Sequence, residues 1–359
     1  MALSKIPAAA FSSDPGVNFR NLIINGDMSI AQRGTSVSSV TSTGFRTCDR
    51  FQPVMNSSGT WTISQSTDVP SGQGFYNSFK FDCTTADASP NYLFLKHAME
   101  GQMLQQIKKG TSNAESLTLS FWVKSSKTGT YIAELYDRDN SRTINKSYTI
   151  DASNTWEKKT ITFEGDISGA FDNDNNSSLE LNFWLASGSS YNSGTLQTSW
   201  GTYNNPNRAV GNVNLADSTS NEWYITGVQL EVGTSASDFE FLPHDVNFER
   251  CKRYYVKIPS VNGSNHPALR DVFFYDNSNG LGAIRFSPYM RAKPSVNLEA
   301  DAEFRCGAGD KVITSGMIYS TAGDGQDLRI RFYDGNAFST QNGQVGLLQN
   351  GLFTFNAEL

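Results

Sequence analysis

The sequence predicts an all-β protein: a β-sandwich followed by a smaller β-domain, with one or two short helices. Three observations carry this. Apolar and polar residues alternate with a period of two from end to end, as in "TWTISQ" and "SLTLSFWVKSS", the pattern of strands that turn one face to a core. Clusters of Asn, Gly and Ser separate these runs, where tight turns are needed. Only 18% of the residues are charged, and 30 Gly, 23 Phe and 14 Tyr in 359 residues suit short strands better than helices.

In chain order, residues 1–20 hold Pro7, Pro15 and Gly16 and no core-patterned run, so they are expected to form an extended arm. "NLIINGDMSIAQRGT" then begins as a strand at Leu22–Ile24 and breaks at Asn25-Gly26-Asp27, where Asn-Gly permits positive φ in a tight turn. Arg33 can pair with Asp49 or with sheet-end carbonyls, which makes this stretch an architectural corner. Strands follow around Trp61 and Ile63, around Phe79, Phe81 and Cys83, and through Leu117, Leu119, Phe121 and Val123. Between the last two, "AMEGQMLQQIKKG" predicts a short helix that stops at Gly110.

"KKTITFEGD", "LELNFWLAS" and "EWYITGVQLEVG" continue the alternation, the second with aromatics on both faces, Phe183 and Trp184. Pro243 is a natural break. After it, "DVNFERCKRYY" predicts a second helix, with Asp245 near its start and basic residues near its end, as the helix dipole favours. Further strands run from "DVFFYD" to "GLFTFNAEL", where Phe353, Phe355, Ala357 and Leu359 alternate with polar residues. The expected organisation is an arm at 1–20, a sandwich at 21–244 and a C-terminal β-domain at 245–359.

Several function classes drop out. Lys plus Arg total 29 against 35 Asp plus Glu, a net charge of −6, and no basic cluster exists to track a nucleic-acid backbone. No apolar run reaches membrane-spanning length, so membrane insertion is not expected. Cys48, Cys83, Cys251 and Cys306 share no CxxC spacing, which argues for buried thiols and against a zinc site. His97, His244 and His266 each stand alone, and no GxSxG motif accompanies them. Glu134, Asp137 and Asp139 in "YIAELYDRD" fit a solvated strand end better than a pair of glycosidase carboxylates. A non-enzymatic protein is expected.

Two candidate sites remain. "DNDNNSSLE" sets Asp172, Asp174, Asn176 and Glu180 on alternate positions, as oxygen-ligand loops for a structural calcium do. It lacks the glycine of the EF-hand loop and brings its Glu too early, so a polar turn is the plainer reading. Tyr191, Trp200 and Tyr203 lie in a long segment rich in Ser, Asn and Gly. Flat aromatic faces with amides nearby suit sugar rings, so these three are the candidate glycan-binding residues. The alternative is that they pack on the sandwich or on another subunit.

Four stretches also carry a resemblance. "NLIINGDMSIAQRGT" with the following "CDRF" resembles the opening of a family of phage tail-fibre and related virion proteins. "GVQLEVGTSASDFEFLPHDVNFERCKRYY" is similar to its mid-chain signature, "SFWVKSSKTGTY" and "TWEKKTITF" match the strands between, and "PYMRAKPSV" is similar to its downstream Met-Arg-x-x-Pro segment. The resemblance implies a jelly-roll sandwich like those of carbohydrate-binding modules, followed by a smaller β-domain. It implies a bacteriophage tail fibre or receptor-binding component in the virion, assembled in the host cytoplasm. Its implied form is a homotrimer whose arm attaches to other virion proteins and whose surface meets host glycan. Such modules often hold calcium near their first and last strands. Asp27 fits the first contribution, whereas Thr226 and Gly227 stand where Asp is common. The alternatives are a head-fibre, capsid-decoration or tail-hub protein without host recognition, and a glycan-degrading tailspike.

Overall fold

Strict alternation sorts the side chains of each strand onto two faces, and the apolar faces must meet. In the computed structural model they do so within two compact units, Met1–His244 and Asp245–Leu359. The structure describes residues 19–259, 269–300, 302–305, 311–314, 318–323, 325–333, 345–349 and 352–359. Residues 1–18 of the expected arm, His266 and Cys306 lie outside the described residues.

The first unit is a jelly-roll-type sandwich of two six-stranded antiparallel sheets. One runs β1 (Ser36–Val40), β3 (Thr60–Ser66), β4 (Ser78–Thr85), β12 (Glu222–Val232), β6 (Leu117–Ser125), β9 (Glu157–Phe163). The other runs β11 (Gly201–Thr202), β8 (Arg142–Ile150), β7 (Gly129–Asp137), β10 (Ser177–Ser187), β5 (Tyr92–Glu100), β2 (Phe51–Asn56). Phe79, Phe81, Phe121, Trp223 and Ile225 from the first sheet meet Leu95, Tyr131, Leu135, Leu181 and Phe183 from the second in one buried cluster. Phe121 and Phe183 touch edge to face across the gap, centroids 5.1 Å apart, the geometry aromatic quadrupoles prefer.

The corner segment departs from expectation. Leu22–Ile24 are buried but form no strand. Their neighbour is the second half of β12, and side chains complete the pairing. Leu22 donates its N–H to the Leu230 carbonyl (2.9 Å) and Val228 donates to Gly26 (2.9 Å). Asn21 Oδ1 accepts from both Ile23 (3.0 Å) and Leu230 (3.1 Å), and His97 Nε2 accepts from Ile24 at 3.2 Å. Positive φ falls on Asn25 (63°) and Met28 (59°), not on Gly26. Glycine is required at 26 for a different reason: a Cβ there would lie 2.1 Å from the Val228 carbonyl oxygen. Asn25 ties the turn together, donating to the carbonyls of Ile30 and Asp49 (both 2.9 Å) and accepting from Ile30 N–H at 2.9 Å. Asp49, fully buried, accepts from Gln32 N–H (3.0 Å) and faces Arg33 at 3.8 Å.

The helix expected over "AMEGQMLQQIKKG" is also replaced. Ala98 and Met99 extend β5 opposite Glu180 and Leu179 of β10, so sheet pairing overrides helical propensity. Two short 3-10 turns follow, Gly101–Met103 and Gln105–Ile107, and the chain reverses at Lys108 and Gly110, with φ of 54° and 81°.

β10 is buried on both faces. Leu179, Leu181, Phe183 and Leu185 enter the main core, while Glu180, Asn182 and Trp184 lie on the outer side of the sheet. The long segment after β10, which opens with α1 (Ser189–Asn192), covers that outer side. There Trp184, Phe94, Ile132 and Ala209 form a second apolar cluster with Tyr191 and Leu196 against it. Glu134 of β7, fully buried beneath this cover, accepts from Arg208 through both oxygens (Nε and Nη2, each 2.7 Å) and from Asn182 and Trp184 at 3.0 and 3.1 Å. The Arg208 guanidinium is 4.9 Å from the Trp184 ring centre and 4.7 Å from that of Tyr203.

The second unit begins at Asp245, within α2 (His244–Lys252), which carries Asp245 in its first turn and Arg250 and Lys252 in its last. A three-stranded sheet orders β13 (Tyr255–Pro259), β22 (Leu352–Asn356), β16 (Ser295–Ala300), so the last strand of the chain is central. A seven-stranded sheet orders β18 (Lys311–Ile313), β17 (Ala302–Arg305), β21 (Val345–Gln349), β14 (Leu269–Phe274), β15 (Asn279–Arg285), β20 (Asp327–Tyr333), β19 (Ile318–Gly323). Val272, Phe274, Phe304, Ile330, Phe332, Phe353 and Phe355 make its core.

Two outcomes follow. Gly26→Ala should destabilise the first unit by at least about 2 kcal/mol, because backbone on both sides must move; a melting temperature equal to wild type would show that the corner yields freely. Arg208→Ala should cost about 3–5 kcal/mol, since it strands a buried carboxylate, whereas Tyr203→Phe removes a single hydrogen bond and should cost about 1 kcal/mol. Paired denaturant titrations check that ranking.

Candidate functional site

Where β10 ends and β5 begins, the sequence is almost wholly Ser, Asn, Gly and Pro, and these residues enclose a cleft of about 510 Å³. It is lined by Ser57, Ala88, Ser89, Pro90, Asn91, Ser187, Gly188, Ser189, Ser190, Asn192 and Asn214. Turn chemistry built its walls. Asn91 donates its N–H to Ser57 (2.8 Å) and Gly188 donates to Asn91 (2.7 Å), which pins the start of β5 to the end of β10. Gly188 is needed there because a Cβ would meet the Pro90 carbonyl at 2.6 Å. Asn192 Nδ2 donates back to the Ser187 carbonyl at 2.8 Å, and Asn214 Nδ2 to the Asp87 carbonyl at 3.0 Å.

Ser57, Ser89, Ser189 and Ser190 are exposed. Tyr92 and Tyr191, each next in sequence to lining residues, pack edge to face at 5.3 Å. No ionisable side chain lines the cleft. Its chemistry is therefore hydrogen bonding by neutral donors and acceptors next to aromatic carbon, and it holds no acid–base pair.

The structure divides the three aromatics expected to act together. All are partly buried. Trp200 and Tyr203 flank β11 at positions of opposite parity, so they fall on opposite sides of the sheet edge. Trp200 packs against the main core and donates Nε1–H to the Glu164 carbonyl at 2.7 Å. Tyr203 lies over Tyr136, centroids 4.8 Å apart, and its hydroxyl accepts from Arg208 at 2.7 Å. Tyr191 joins the cluster around Trp184, 5.4 Å away. Trp200 and Tyr203 therefore fasten the long segment down, and only Tyr191 adjoins the cleft.

The four residues considered for calcium are not gathered either. Asp174 accepts from Asn176 N–H at 2.9 Å within its own turn. The carbonyls of Asp174 and Asn176 accept from Gln102 (2.9 Å) and Gly101 (3.2 Å), and Asp172 donates its N–H to Asp139 at 2.9 Å. Glu180 lies on β10 between Lys96 and Arg138, 3.6 Å from each. Among the described residues no group of three or more His, Cys, Asp or Glu is arranged to hold a metal. At the corner, Asp27 accepts from the Ser29 hydroxyl at 3.0 Å, and Thr226 donates to the Asn77 carbonyl at 2.7 Å.

The acids at the end of β7 were expected to be solvated. Glu134 and Asp137 are instead fully buried, each held by a cation from a distant segment. The cleft itself was missed, although the signal was present: "ASPNY" and "SGSSYN" bracket two adjacent strands. Their adjacency is a fact of sheet order, which no local pattern encodes.

No protein-family model matches the chain, and no curated protein matches it. Among solved structures it is similar to the enzymatically active domain of bacteriophage CBA120 tailspike protein 4, at 15% identity and TM-score 0.33, over 59% of this chain and 21% of that one. It is also similar to the carbohydrate-binding module CBM4, at 11% identity and TM-score 0.29, over 58% of this chain and 99% of that one. A third is the CBM22-1 xylan-binding domain of Paenibacillus barcinonensis Xyn10C, at 12% identity and TM-score 0.27, over 56% of this chain and 94% of that one. The chain thus spans about a fifth of the tailspike chain, 21% of its length.

Proposed function

We propose that this protein is a non-enzymatic bacteriophage virion component, a tail-fibre or receptor-binding part, that contacts a neutral host-surface glycan at the cleft between β5 and β10. The observation that carries the glycan assignment is the cleft lining: hydroxyls and amides without a charge, beside Tyr191. Sugar hydroxyls both donate and accept, and Ser and Asn side chains do the same. A volume of about 510 Å³ falls in the range of small-ligand sites. The virion assignment is supported by the opening and mid-chain motifs that resemble tail-fibre proteins. The glycan-degrading alternative would need two carboxylates across the bound chain, and the cleft lining supplies none.

Filling the cleft tests the site. Ser190→Trp should weaken binding to host polysaccharide at least about tenfold, or about 1.4 kcal/mol, with the melting temperature near wild type because Ser190 is exposed. Undiminished binding by a folded variant places the contact elsewhere. Incubation of the wild type with the same polysaccharide should release no oligosaccharide; release would establish the enzymatic alternative.

A trimer is the assembly expected of a tail fibre, since sheets with open edges gain from a partner that covers them. Light scattering on the purified full chain should return three times the monomer mass. A stable monomer at micromolar concentration would exclude this.

A further inference from the structure

A second cluster of reactive groups lies well inside the first unit, apart from the cleft in its chemistry. Lys109 follows the 3-10 turns, Asp137 closes β7 and Asp166 follows β9. The side chains of these three are 2%, 0% and 3% exposed. Lys109 Nζ is 2.6 Å from Asp137 Oδ2 and 3.1 Å from Asp166 Oδ2. The rings of Phe171 and Trp200 stand 5.2 and 5.6 Å from the same nitrogen. An amine, a carboxyl group and a second carboxylate thus share a site walled by aromatic carbon.

Lys109 Nζ also donates to the carbonyls of Ser168 (2.8 Å) and Gly169 (2.6 Å), which fix the amine in place. Asn140 donates its backbone N–H to Asp137 Oδ1 at 3.0 Å and its Nδ2–H to Oδ2 at 3.0 Å. The first of these donors would stabilise negative charge developing on Oδ1 during attack at Cγ. Arg142 grips Asp166 with two hydrogen bonds, 2.7 and 3.0 Å. Burial works against ionisation of Asp166, but Arg142, the Ser168 N–H and Lys109 outweigh it and hold its carboxyl below the usual range. Asp166 is therefore held ionised, with Oδ2 3.1 Å from Lys109 Nζ, within reach of a proton from it. Two cations face two carboxylates, so moving one proton from Lys109 to Asp137 changes no net charge in the site.

The geometry points to a modification: Lys109 and Asp137 condense into an intramolecular isopeptide bond, with Asp166 carrying the proton. The neutral Lys109 amine attacks Cγ of the protonated Asp137 carboxyl, forming the N–C bond. Asp166 takes the proton that the amine sheds and returns it to the departing Asp137 hydroxyl, which leaves as water. Nothing is oxidised or reduced, and one water is the only product released. Reacting atoms held in hydrogen-bond contact gain the rate advantage of an intramolecular reaction, and the aromatic walls keep hydrolytic water away. The bond would tie the connection after β5 to the β7–β8 hairpin, closing a covalent loop that persists in the unfolded chain.

Intact-mass measurement of the denatured full-length protein decides this. Wild type should weigh one water less than its sequence, and digestion should yield a branched peptide joining Lys109 to Asp137. Lys109→Arg and Asp137→Ala should each have full mass, and Asp166→Asn should remain at full mass or lose water far more slowly. Wild type at full mass after prolonged incubation, or a mass loss that maps to a linear dehydrated peptide, overturns the inference. Both results are read on the wild-type chain, so they stand even where a variant does not fold.

Discussion

Glu134 sits in the middle of β7 with its side chain on the outer face of a sheet, and there the chain has sealed it from water. An ionised carboxylate so placed is tolerable only if paired and hydrogen-bonded on each oxygen. Arg208 supplies the charge in bidentate form, and Asn182 and Trp184 supply two further donors. Because Arg208 is far along the chain, satisfying Glu134 forces residues 188–214 to lie across the sheet. That covering buries Trp184, places Tyr203 and Tyr191 around the guanidinium, and leaves the polar cleft open at the strand ends. One charge pair thus accounts for a sheet buried on both faces and for the polar margin left open beside it.

The corner at residues 21–30 solves a different problem. The second half of β12 needs a neighbour where β4 does not reach, since β4 pairs only with Glu222–Ile225. Leu22–Gly26 fill that place without strand geometry, because Asn21 and His97 side chains satisfy N–H groups that a ladder would otherwise take. Buried backbone donors find acceptors by whatever route exists. The apolar run supplies burial, and the polar side chains make an irregular path affordable.

Three sets of buried charge in the sandwich follow one rule. Glu134 with Arg208, Asp49 with Arg33, and Asp137 and Asp166 with Lys109 and Arg142 are all neutralised locally. These sets differ in composition. Arginine cannot give up its proton, so its pairs are inert fasteners. Lysine can, and of these three sets only the Lys109 cluster places an amine against one carboxyl group with a second carboxylate beside it.

How much of this was legible in the sequence depended on range. Period-two alternation identified the strands at Trp61, Phe79, Leu119, Phe183, Trp223 and Phe353, because each residue's face follows from its own parity. The helix at His244–Lys252 was legible from its charge order for the same local reason. The sequence by itself therefore determined an all-β chain, its apolar faces and the identity of Asn25 and Gly26 as corner residues. Tertiary structure decided what each local signal was for. Leu22–Ile24 lack a ladder because the side chains of Asn21 and His97 take N–H groups beside the backbone bonds to β12, and Ala98–Glu100 became strand because β10 lies beside them. Trp200 and Tyr203 became anchors, and Glu134 and Asp137 became buried partners of Arg208 and Lys109. Pairing across 74 residues, as between Glu134 and Arg208, leaves no periodic trace, because a charge does not name its partner until the sheet order brings the two together.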